Sequence, residues 1–168
     1  MAISTVCSGT AMASSRAVQT LEQGEQTESV LLSEFVKTST GEEIIDARSQ
    51  ALANAMCSIT NTERGIIGIY AETAMFKPVD WACLTIYLEQ WSEAKQSWIT
   101  VEKFEKEFTP EDTEDGRLTR AALSIDVGTQ PSGYYYRLRC IHELEFDGDW
   151  YEGKVTKTDG VLLTNIKK

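Results

Sequence analysis

With 168 residues, 42% of them hydrophobic, the chain suits one domain with a core of its own rather than several. Asp and Glu outnumber Lys and Arg by 26 to 16, so neither the phosphates of nucleic acid nor an anionic membrane surface would attract it. No stretch reaches the ~20 continuous apolar residues of a transmembrane segment.

Residues 1–13 read as a partial signal-peptide-like segment. Ala2 to Ala13 are small or apolar apart from hydroxyls, and they close on Ala11-Met12-Ala13, the small-x-small pattern that precedes signal-peptidase cleavage. A basic n-region is missing and Ser4, Thr5, Ser8 and Thr10 dilute the apolar run, so the start is expected to lie inside a longer leader. Cys7 is taken as part of this segment. Residues 14–41 are rich in Ser, Thr, Gln and Glu, the chemistry of a polar, disordered tail. Within it, Val30-Leu31-Leu32 and Phe35-Val36 could contribute one or two turns of amphipathic helix over 28–37, too short to persist undocked.

From residue 42 to 168 the character is that of an all-β domain. Ala53–Thr60, the polar turn Asn61–Gly65 and Ile66–Met75 read as a hairpin. After a turn at Lys77-Pro78-Val79-Asp80, Trp81–Trp91 sets Ala82, Leu84, Ile86 and Leu88 on one face and Trp81, Thr85, Tyr87 and Glu89 on the other. Ser97–Phe108 carries the many charges that protect an edge strand. An acidic loop follows, then Leu118–Val127 alternates again. The most telling segment runs from Gly133 to His142: Tyr134, Tyr136, Leu138 and Cys140 on one side, Tyr135, Arg137 and Arg139 on the other. It continues to about Phe146, where Asp147-Gly148-Asp149 forms the next hairpin, and Val155, Val161 and Leu163 belong to the last strands. About seven or eight strands with turns between them predict an antiparallel immunoglobulin/fibronectin-III-like β-sandwich.

Four pieces in this order, Thr85-Ile86-Tyr87-Leu88-Glu89-Gln90, Trp98-Ile99-Thr100-Val101, Gly133–Arg139 with His142 behind it, and Thr158-Asp159-Gly160-Val161, together resemble an uncharacterised family of small secreted proteins from Gram-positive gut anaerobes, a domain of unknown function. The resemblance spans residues from about 42 to the C-terminus. It implies export and an immunoglobulin-like sandwich, and it carries no activity and no catalytic residues.

Chemistry is sparse. Parity points Cys57 and Cys140 into the sandwich from opposite sheets, where they could form an inter-sheet disulfide or pack as buried thiols, while Cys83 faces the other way. His142 is the only histidine, best read as a hydrogen-bonded residue at the end of the core. No nucleophile-elbow turn or cysteine–histidine signature accompanies it. No metal or cofactor is expected, since the acidic turns lack calcium-loop spacing and the cysteines lack zinc-ligand pairs. If the Trp81 and tyrosine strands are neighbours, Trp81, Tyr87, Tyr135, Arg137 and Arg139 share one exposed face. Such a face could stack on sugars or peptides, or it could be a cross-strand ladder of arginine on aromatic and glutamate. The expected function is that of an exported, non-catalytic binding or structural module of unknown ligand, with a glycan or an extracellular protein as the candidate partners. The alternatives are a carbohydrate-binding module using that face, and a hydrolase with an unrecognised carboxylate site.

Overall fold

A computed structural model of the chain describes residues 29–44 and 48–166. The expected leader and most of the polar tail lie outside these residues. Alternation of apolar and polar positions drives the described chain into nine strands: β1 (Thr38–Ile44), β2 (Leu52–Asn61), β3 (Ile67–Val79), β4 (Trp81–Ser92), β5 (Ser97–Phe108), β6 (Leu118–Val127), β7 (Tyr135–Phe146), β8 (Trp150–Lys157) and β9 (Val161–Leu162). One sheet has the order β1-β2-β3-β6, the other β5-β4-β7-β8 with β9 also on β7, and every strand pairing is antiparallel. This is the expected antiparallel β-sandwich.

Hairpins join β2 to β3, β4 to β5 and β7 to β8, whereas β3–β4, β5–β6 and β6–β7 change sheet. The change from β3 to β4 spends only Asp80. Ala55, Cys57 and Ile59 of β2 with Ile67, Ile69 and Ala71 of β3 supply one wall of the core; Leu84, Ile86 and Leu88 of β4 with Leu138, Cys140 and Leu144 of β7 supply the other. At the β7–β8 turn Asp147 and Gly148 both have positive φ (52° and 83°), the mirror-image turn that Asp-Gly favours because its twist matches the strands.

Three expectations change. The strand β1 crosses the expected tail boundary, because Gly41 lets the backbone press against β8: a Cβ there would overlap the Lys157 carbonyl oxygen. Lys77-Pro78 is no turn; β3 runs on to Val79, and its irregular pairing with β6 between Ala74 and Val79 accommodates a residue without an N–H. Tyr134 precedes β7 and is exposed, so the inner face of that strand begins at Tyr136. The described part of the segment over 28–37 holds no helix: Leu31 is bridged in parallel to Gly160, and the Val36 N–H closes a single turn on the Ser33 carbonyl.

Candidate functional site

Register determines which side chains meet on the outer face of the second sheet. Glu89 of β4 stands opposite Arg137 of β7, and Tyr87 opposite Arg139. Partners in an antiparallel pair project from the same face, so these four form one cluster. The two oxygens of Glu89 divide between the arginines: Arg137 Nε donates to Oε2 at 2.7 Å and Arg139 Nε to Oε1 at 3.1 Å. The Arg137 guanidinium lies 4.7 Å from the Trp98 ring centroid, and that of Arg139 lies 4.1 Å from the Tyr87 ring. Trp98 in turn meets Trp91 edge-on, with centroids 5.4 Å apart.

This cluster is buried. Arg137, Glu89 and Arg139 are 0%, 1% and 5% exposed. Burial pulls the Arg137 pKa below its ordinary value, against the Glu89 carboxylate that pulls it up. Two buried cations thus share one carboxylate, and Arg137 Nη2 and Arg139 Nη1 have no hydrogen-bond acceptor among the described residues. Such a group is a poor source of net stability, yet removing the shared carboxylate would leave two charges uncompensated.

An interruption at the sheet edge closes one end of the cluster. Between β8 and β9 the Thr158 hydroxyl accepts from the Leu138 N–H, and the Thr158 N–H donates to the Leu138 carbonyl. This leaves the Thr158 carbonyl and the Asp159 side chain to receive the Ser29 hydroxyl and the Val30 N–H. Gly160 exchanges backbone hydrogen bonds with Val30 and Leu32. The Ser29 oxygen then accepts from Arg137 Nη1 at 3.0 Å. Gly160 is required here, since a Cβ would stand 2.6 Å from Trp98 Cη2.

Of the five residues expected on an exposed binding face, Tyr87, Arg137 and Arg139 come together. Trp81 pairs with Glu145, roughly 20 Å along the strand from Tyr87, and Tyr135 pairs with Leu162 at the opposite end. The expected exposure of Arg137 and Arg139 is corrected: Glu89, Trp98 and Ser29 enclose them. Glu89 was legible, because it alternates with Tyr87. Trp98 was not, because a register shift between Leu88 and Glu89 sets where β5 meets β4, and Ser29 lies 108 residues before Arg137.

A second polar cluster lies between the sheets. His142 is fully buried, with Nδ1 2.8 Å from the Thr73 hydroxyl and Nε2 2.8 Å from the Thr156 hydroxyl. Burial pushes its pKa down to about 4. Cys57 and Cys140 are free, buried thiols in this structure, the second of the two arrangements that the sequence left open. They nonetheless face one another: contact with Cys140 holds the Cys57 thiol below its ordinary pKa, while burial drives Cys140 well above. Thr156 touches both. Cys83 sits apart on the outer face, where burial and then the Glu143 charge push it up to about 12.

Among the described residues, no group of three or more His, Cys, Asp and Glu side chains could hold a metal ion. No helix among them is long and apolar enough to cross a membrane. No family model, curated protein or solved structure matches the chain.

Proposed function

We propose that the chain is an exported, non-catalytic β-sandwich module acting as a structural or binding unit outside the cell. The state of His142 carries this reading. It is the only histidine, both of its ring nitrogens are engaged by threonines, and its depressed pKa leaves it neutral and enclosed at ordinary pH. A general base must reach the proton it removes, and this one reaches none of a substrate's. Glu89 is likewise clamped between two arginines, which argues against a carboxylate hydrolase built on it.

The strand path supports the immunoglobulin-like form. Here β3 and β6 are neighbours in one sheet and β4, β7 and β8 are neighbours in the other, as strands B and E, and C, F and G, are in immunoglobulin domains. The resemblance to small secreted proteins of gut anaerobes and the Ala11-Met12-Ala13 pattern support export. Glycan recognition by one platform of Trp81, Tyr87, Tyr135, Arg137 and Arg139 is disfavoured by their spread along the sheet and by the burial of both arginines.

Intact mass of the protein recovered from culture medium should begin at Ser14; a chain retained in the cell and starting at Met1 or Ala2 would overturn export. A panel of hydrolase substrates should show no turnover, and a glycan array should read the same for wild type and for a Trp81→Ala/Tyr135→Ala variant. Turnover that disappears on Glu→Gln substitution, or a glycan signal lost in that variant, would replace this reading.

A further inference from the structure

Among the described residues, two thiols meet inside the sandwich. Cys57 projects from β2 and Cys140 from β7, on facing walls of the core, and Cα atoms of these two strands approach within 8 Å of one another. Small residues permit this approach: Cys57 has Gly41 and Ala71 as its lateral neighbours across β1 and β3. The Cys83 thiol lies on the other side of the sheet and cannot compete for either partner without unfolding. Beside the pair, Thr156 supplies a hydroxyl that already engages His142.

We propose that Cys57 and Cys140 are an oxidation site, converted to a disulfide that joins the two sheets when the chain folds in the presence of a disulfide-bearing oxidant such as glutathione disulfide. One thiolate attacks a sulfur of the oxidant, expelling one glutathione thiol and leaving a mixed disulfide. The second protein thiolate attacks the protein sulfur of that mixed disulfide and expels the second glutathione. Two protein thiols lose two protons and two electrons, and one glutathione disulfide becomes two glutathione thiols. Both cysteines are enclosed in the native state, so the exchange belongs to the open chain or to a partly folded state. A folded, reduced protein therefore resists the same reagent. The bond would close a long loop, which lowers the entropy of the unfolded chain and makes the unfolding constant roughly 30- to 1,000-fold smaller.

The test uses the full chain, reduced and unfolded in guanidinium, then refolded with a reduced/oxidised glutathione mixture, alkylated and mapped by mass spectrometry. The refolding is independent of where the protein resides in the organism. The expected product has Cys57 and Cys140 in one cross-linked peptide pair, lacks two hydrogens, unfolds at higher denaturant than the reduced form and loses that gain with dithiothreitol. A Cys7→Ser/Cys83→Ser variant should give the same cross-link. Alkylation of both Cys57 and Cys140 in most refolded chains would overturn the proposal. So would a cross-linked product no more resistant to denaturant than the reduced protein, or a preference for Cys7 or Cys83 as partner.

Discussion

At the scale of single residues, His142 shows how burial turns a titratable group into a pH-dependent stabiliser of the fold. Its pKa falls from 6.5 to about 4 because the charged imidazolium would lose its hydration between the sheets. Between those values the unfolded chain binds a proton that the folded chain does not. The stabilisation is complete above pH 6.5, declines as pH falls, and is gone below about 4, an overall loss of roughly 3 kcal/mol. Among the described residues three carboxylates held below their ordinary pKa also favour the folded state: Glu72, chiefly by its hydrogen bond from Arg120; Glu111, chiefly by its hydrogen bond from Thr109; and Glu152, where burial pushes the pKa up but the hydrogen-bond donors outweigh it. They begin to matter only as pH approaches 4.5, so the range from 6.5 to 5 belongs to His142. Urea unfolding of wild type across that range should show the midpoint falling with pH, and His142→Gln should flatten the slope. An equally steep slope in the variant would remove His142 as its source.

At the scale of elements, the strands and faces were readable and their lateral register was not. The limits of β5 and β6 match the runs of alternation, and in β4 the alternation assigned Ala82, Leu84, Ile86 and Leu88 to the core. In β7 it placed Leu138 and Cys140 inward and Arg137 and Arg139 outward. What escaped was set by long-range pairing: the shift that seats Trp98 near Arg137, and the gap between β8 and β9 that Ser29–Leu32 fills. The Gly160→Ala substitution tests that closure. A methyl group there meets both Trp98 and Leu31 and should cost about 1–3 kcal/mol, with a changed indole fluorescence as Trp98 moves. Unaltered stability and emission would show that this seat is loose. The turn before β2 has its own tie: Glu152 accepts from the Ser49 hydroxyl and from the N–H groups of Gln50, Ala51 and Leu52. The Glu152→Ala variant should lose roughly 1.5–3 kcal/mol and lose hydrogen-exchange protection first at residues 50–52; protection unchanged there would show the turn is held otherwise.

At the scale of the whole molecule, the sandwich carries charge where sandwiches of this size usually meet water. The outer face of β4 and β7 encloses Glu89, Arg137 and Arg139 beneath Trp98 and Tyr87, so a surface that the sequence offered as a binding platform is part of the packing. That placement supports the proposal of a non-catalytic module for this cluster alone, because Glu89, Arg137 and Arg139 are engaged in holding strands together. The most direct test is equilibrium urea unfolding of Glu89→Leu beside wild type at neutral pH. With both arginines left buried and uncompensated, the variant should lose about 3–5 kcal/mol with little change in the slope of the transition. A Glu89→Leu protein as stable as wild type would contradict a structural role for the cluster and return Arg137 and Arg139 to the search for a ligand.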